Sequence, residues 1–222
     1  MSIGTAKEVA GDFYDYFVID NTVDINKSLK IYIENARDDG YKVDPLCETG
    51  SCFRISADNV ELHFGKNILI YGNCHNLGYG EGIYVDGYNC LIDGGYFKYC
   101  GDVQHPSYSG GAIYVYNENC TIQNAVFDNC YGYCGGAICV DDDYCHIINC
   151  RFIDCDADYG DAIYVCSYNG DGFIASGCTF EDGVTITGSA AQFFQIKDTD
   201  GQLHDVQGVV VGNTIEFTFN GE

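Results

Sequence analysis

Gly110-Gly-Ala-Ile-Tyr-Val115 decides the fold, because the segment recurs along the chain. Its relatives are Gly80-Glu-Gly-Ile-Tyr-Val85, Gly135-Gly-Ala-Ile-Cys-Val140 and Gly160-Asp-Ala-Ile-Tyr-Val165, with first glycines 30, 25 and 25 residues apart. A second marker keeps step with the first: Phe97, Phe127, Phe152 and Phe180 follow the closing Val by 12, 12, 12 and 15 residues. Self-similarity at this period marks stacked units, each of which buries its apolar side only against a neighbour. The chain is read as a solenoid.

Counting from the markers assigns the interior. One inward column reads Ile83, Ile113, Ile138, Ile163 and the next Val85, Val115, Val140, Val165. Counting back from each Phe gives Cys90, Cys120, Cys145, Phe173, then Ile92, Ile122, Ile147, Ala175, then Gly95, Ala125, Cys150, Cys178. Each repeat thus holds three short alternating stretches separated by polar or Gly-rich corners. That pattern fits three strands per coil of a parallel β-helix and not a repeat of period 3.6. Parallel stacking then sets like side chains about 4.8 Å apart as internal ladders. A preliminary coil begins near Phe53, in register with Ile83.

At 222 residues the chain suits one domain with caps. A formal charge of −23 with only 10 Lys and Arg excludes a nucleic-acid partner, which would need the opposite sign. No apolar run approaches the about 18 residues of a membrane span, and the start, Met1-Ser-Ile-Gly-Thr-Ala-Lys7, lacks the layout of a secretory signal. The location expected is extracellular or the cell surface, with leader and anchor lying outside this stretch.

Residues 1–52 are read as an N-terminal cap with a helix over about 24–38: Asp24 caps it, Ile25, Leu29, Ile33 and Ala36 share a face, and Asp39-Gly40 stops it. The β-helix occupies 53–187. Residues 188–222 read as strands around Gln192–Lys197 and Val206–Phe219, a C-terminal β cap or the start of a following module.

The Gly-Gly-Ala-Ile motif followed by Phe resembles the β-helix repeats of the adhesin-like surface proteins of methanogenic archaea. It is also similar to those of the polymorphic outer-membrane proteins of chlamydiae. The resemblance covers roughly residues 53–183. The entry into the coils is similar, more loosely, to pectin-lyase-like right-handed β-helices. One departure stands out: the family pattern Phe-x-x-Asn becomes Phe97-Lys-Tyr-Cys100, Phe127-Asp-Asn-Cys130 and Phe152-Ile-Asp-Cys155. The expected fold is all-β, a right-handed parallel β-helix of about five coils with an N-terminal capping helix and a C-terminal β cap. The resemblance implies a large secreted surface protein concerned with attachment.

Fourteen Cys invite a disulfide or metal reading. Columns argue against zinc, whose ligands converge on one point. Cys90, Cys120 and Cys145 sit among Ile and Val and act as small core residues. Parallel Cβ vectors hold strand-borne Cys slightly too far apart for a comfortable bridge, so these are read as reduced. Cys100, Cys130 and Cys155 form a corner column with freer geometry. Cys47 and Cys52 are the candidate local disulfide. No metal or cofactor is expected; calcium is the alternative at Asp154-Cys-Asp-Ala-Asp158, which has Tyr159 where a calcium loop has Gly.

No repeated face combines paired carboxylates with a base, so no catalytic residue is assigned and enzyme activity is the minority reading. Tyr84, Tyr114 and Tyr164 form an outward column, interrupted by Cys139, that supports neighbouring strands and offers a contact stripe. Asn26-Lys-Ser28 and Asn119-Cys-Thr121 match glycosylation acceptors. The expected function is a non-catalytic, adhesin-like surface module that binds a cell-surface glycan or protein. Two alternatives remain: a self-associating, Cys-linked subunit of a sheath or filament, and a polysaccharide lyase or hydrolase of the pectin-lyase-like fold.

Overall fold

The computed structural model describes residues 22–33, 51–65, 68–72, 79–101, 109–166 and 172–180 in full. It also describes the backbone of eight further strands: Ala6–Lys7, Tyr16–Val18, Lys42–Asp44, Ile186–Gly188, Phe193–Lys197, Leu203–Gln207, Val209–Val211 and Thr214–Glu216. Among the described residues the chain is all-β, and its strands coil as a parallel solenoid. Three long sheets form its walls. The Ile–Val sheet stacks Val23–Ile25, Phe53–Ile55, Ile83–Val85, Ile113–Val115, Ile138–Val140, Ile163–Val165 and Ile186–Gly188. The middle sheet stacks Lys30–Ile33, Glu61–Phe64, Leu91–Asp93, Thr121–Gln123, His146–Ile148 and Ile174–Ser176. The Phe sheet runs from Ala6–Lys7 through Tyr16–Val18, Lys42–Asp44, Leu69–Tyr71, Tyr96–Lys98, Val126–Asp128 and Arg151–Ile153 to Thr179–Phe180.

The register follows the count along the sequence. Ile113 pairs with Ile83 and Ile138, and Ile138 with Ile163. Phe127 pairs with Phe97 and Phe152, and Phe152 with Phe180. Ile83, Ile113, Ile138, Ile163, Phe97, Phe127 and Phe152 are buried in one continuous core, with Phe180 packed against it partly buried. A small fourth sheet, Tyr131–Cys134 paired with Asp156–Tyr159, lies in the connection from the Phe sheet to the Ile–Val sheet.

Corners explain the motif. The first glycine of every copy has a left-handed φ: 57° at Gly80, 68° at Gly110, 71° at Gly135 and 67° at Gly160. A Cβ at Gly135 would also collide with the Ile138 carbonyl. The other corners use a left-handed residue followed by an inward small one, and Asn tolerates this conformation better than other side chains. Eight cysteines occupy that inward place: Asn89-Cys90, Tyr99-Cys100, Asn119-Cys120, Asn129-Cys130, Tyr144-Cys145, Asn149-Cys150, Asp154-Cys155 and Gly177-Cys178. Their thiols donate to corner carbonyls, as Cys120 Sγ does to Gly87 O at 3.4 Å and Glu118 O at 3.6 Å. Cys130 Sγ likewise reaches Phe97 O at 3.6 Å and Asp128 O at 3.8 Å. A small apolar side chain with one weak donor suits this buried bend, where it adds a second contact to carbonyls that already accept a backbone N–H, as Glu118 O does from Asn89 N and Asp128 O from Tyr99 N.

One expectation is corrected. The helix over about 24–38 does not open as read: Val23–Ile25 and Lys30–Ile33 are strands that pair in parallel with Phe53–Ile55 and Glu61–Phe64. The apolar residues that suggested a helix face alternate instead, with Ile25 buried and Leu29 left 49% exposed. Val and Ile are stiff at χ1 and gain more from stacking on Phe53, Ile55, Leu62 and Phe64 than from an isolated helical turn. Residues 34–38 lie outside the described residues. In the C-terminal segment Phe193–Lys197 pairs antiparallel with Leu203–Gln207, which starts ahead of the expected Val206, and Val209–Val211 pairs antiparallel with Thr214–Glu216.

Candidate functional site

Strand alternation turns every second residue of the Ile–Val sheet outward, and two outward columns result. The first runs Asp24, Arg54, Tyr84, Tyr114, Cys139, Tyr164. The second, two residues later in each coil, runs Ser56, Asp86, Tyr116, Asp141, Cys166; each backbone N–H in it bonds the preceding coil, from Asp86 N to Ile55 O through Cys166 N to Val140 O.

Tyr114 is the hub. Its ring stacks on Tyr84 at 5.5 Å and 12°, meets Tyr79 at 4.7 Å, and faces Tyr116 at 6.5 Å. Its hydroxyl donates to the Asp141 carboxylate. Only 5% of Tyr114 is exposed, against 50% of Tyr79 and 49% of Tyr116. The stripe read from sequence is therefore buried at its centre, and the rings exposed beside it are Tyr79 and Tyr116, with the half-buried Tyr84. The Arg54 guanidinium lies 5.4 Å from the Tyr84 ring centre and 3.6 Å from Asp86. Burial raises the Tyr114 and Tyr84 phenols, with Asp141 adding to the first and Asp86 to the second. Burial also raises Asp141, against the opposing pull of the Tyr114 bond. Tyr164, pushed up to about 12 chiefly by burial, stands apart beyond Cys139.

Tyr116 could have been found from sequence, since it lies two residues beyond Tyr114 and so shares its face. Tyr79 could not, because it precedes the repeat and reaches Tyr114 only through the turn at Gly80.

The polar clusters on the other two walls are separate. On the middle sheet, His63 stacks on Tyr32 at 4.8 Å and bonds Asp93 at 3.0 Å and Glu61 at 3.2 Å. On the Phe sheet, Lys98 Nζ lies 2.6 Å from Asp128, which also accepts from the Tyr96 hydroxyl and from Asn129 Nδ2 at 2.6 Å. Lys98 and Asp128 stand in register 30 residues apart, a pairing legible from the repeat but missed.

The cysteine columns are present as stacks. Cys100, Cys130 and Cys155 are all buried, with the Cys130 thiol in contact with both neighbours. Cys90, Cys120 and Cys145 form a second stack through Cys120, whose thiol is pushed up to about 12 mainly by its neighbour Cys145. Cys52 is buried at the start of the Phe53–Ile55 strand, and Cys47 lies outside the described residues. Among the described residues, no group of three or more His, Cys, Asp or Glu is placed to hold a metal, and Asp154, Asp156 and Asp158 do not converge as one. No helix among them is long and apolar enough to cross a membrane. No protein-family model matches the chain, and comparisons with curated proteins and with solved structures give no match either.

Proposed function

We propose that this chain is a non-catalytic, adhesin-like module of the cell exterior that binds a glycan or protein partner through the Tyr79–Tyr84–Tyr116 face. The observation that carries the reading is the cluster around Tyr114: exposed rings held by a buried ring, itself anchored to Asp141 on a rigid sheet. Flat aromatic faces with polar groups at the rim suit sugar rings and protein hot spots alike, because they lose little entropy on contact. The neighbouring carboxylates and the charge of −23 favour neutral or basic ligands over uronates. Titrating a glycan panel against the protein and Tyr79→Ala/Tyr116→Ala tests this: binding that survives the double substitution removes the face from the proposal.

A second reading, a Cys-linked subunit of a sheath, draws support from Cys134 and Cys166, which are partly exposed near this face. A size measurement insensitive to reductant would set it aside.

A further inference from the structure

We propose that Cys150 and Cys178 are a disulfide-forming pair that staples two consecutive coils together, closing by exchange with a small-molecule disulfide. This does not depend on the binding face. Thr179 pairs with Arg151, and Thr179 N donates to Cys150 O at 2.9 Å, so the two cysteines are direct neighbours in adjacent coils. Both cysteines sit at the corner just before the paired Arg151 and Thr179 and not on the strands themselves, and stacked positions about 4.8 Å apart fall within the Cα range of a disulfide. The preceding members of their column are Gly95 and Ala125, so no third thiol competes for the bond.

Access sets this pair apart from the other stacks. Cys90, Cys120, Cys145, Cys100, Cys130 and Cys155 are all sealed in the core, whereas Cys178 is partly exposed beside the left-handed Gly177. The neighbouring Cys150 thiol holds Cys178 below its usual value, while Cys150 itself is pushed up by Cys178 and by burial. Cys178, the partly exposed member, is the attacking group and the buried Cys150 the resolving one. In the first step the Cys178 thiolate attacks one sulfur of the external disulfide and expels a thiolate, leaving a mixed disulfide. In the second, Cys150 displaces the remaining thiolate. Two protein thiols are oxidised, the external disulfide is reduced to two thiols, and these carry away the two protons. The cost is the weak S–H bonds to Ile147 O at 3.4 Å and Ile148 O at 3.5 Å.

The test uses the reduced, folded chain incubated with oxidised glutathione, quenched with an alkylating agent, then denatured and mapped by peptide mass spectrometry. The expected product is an internal disulfide between Cys150 and Cys178, with Cys150→Ser trapping glutathione on Cys178 and Cys178→Ser leaving Cys150 unmodified. Thermal unfolding should shift upward on oxidation in the parent chain and in neither variant. Recovery of Cys150 and Cys178 both alkylated after full exposure would overturn the proposal, and so would a glutathione adduct on Cys150 in Cys178→Ser.

Discussion

The Phe127 ring lies 5.1 Å from the Phe152 ring at an interplanar angle of 9°, one step in a stack that continues to Phe97 at 5.1 Å and Phe180 at 5.0 Å. Each ring fills its own coil and covers the ring of the next, so the core is continuous along the solenoid instead of gathered at a centre. Contacts run chiefly between adjacent coils, and a cavity in one coil is felt by two neighbours.

Phe127→Ala is therefore expected to cost about 3–5 kcal/mol, the range for a fully buried aromatic ring. Phe180→Ala should cost less, because Phe180 is only partly buried and stacks on one described side. Urea denaturation of the two variants against the parent measures both.

Corner chemistry predicts a contrast at Asn149, whose φ is 53°. Asn149→Gly should change stability little, since Gly enters the left-handed region freely. Asn149→Val should cost about 1–2 kcal/mol, the penalty of a Cβ in that conformation, with β-branching adding to it. Equal denaturation midpoints for the two variants would contradict this account of the corners.

Asp128 gives a pH signature. Burial alone would raise its carboxyl, but the bonds from Lys98, Tyr96 and Asn129 outweigh it and hold the group below its ordinary value. Lys98 is raised by the same contact, and Tyr96 is pushed up to about 12 by burial and by the bond to Asp128. A carboxylate depressed by folding stabilises fully above the usual carboxylate range, and that contribution fades as pH falls through the lowered value. Asp128→Asn should lower the thermal midpoint near neutrality, and its difference from the parent should shrink below about pH 4. A difference constant from pH 7 to pH 3 would count against the assignment.

On the tyrosine face, support and contact should separate. Tyr114→Phe removes the donor to the partly buried Asp141 and should cost about 0.5–1.5 kcal/mol of stability, the net worth of one hydrogen bond. Its ring packing is kept, so ligand affinity should change little. Tyr79→Ala and Tyr116→Ala should do the reverse, lowering affinity while the unfolding midpoint stays within about 0.5 kcal/mol of the parent. Calorimetric titration beside denaturation distinguishes the two classes.

How legible the protein was in its sequence differs by level. The Ile, Val and Phe columns could be read outright, because in-register stacking repeats the same environment every coil and so writes a period into the chain. The first layer could not. Ile25, Leu29 and Ile33 satisfy a helical spacing, and the stacking of Ile25 on Ile55 and of Ile33 on Phe64 that makes these segments strands depends on residues about 30 positions away. The site was half legible: alternation puts Tyr84, Tyr114 and Tyr164 on one face, but which ring is buried depends on Tyr79 and on Asp141 from another coil.

The sequence by itself thus determined the repeat, the inward columns and the positions of the glycine turns, since each follows from local sterics and a period. Only the tertiary structure decided the rest. It shows that the cysteines after left-handed corners donate to carbonyls, that Tyr114 carries exposed rings while itself hidden, and that Cys178 alone of its column meets both a thiol and solvent. These are relations between coils, and burial across coils depends on how corners pack, which no period records.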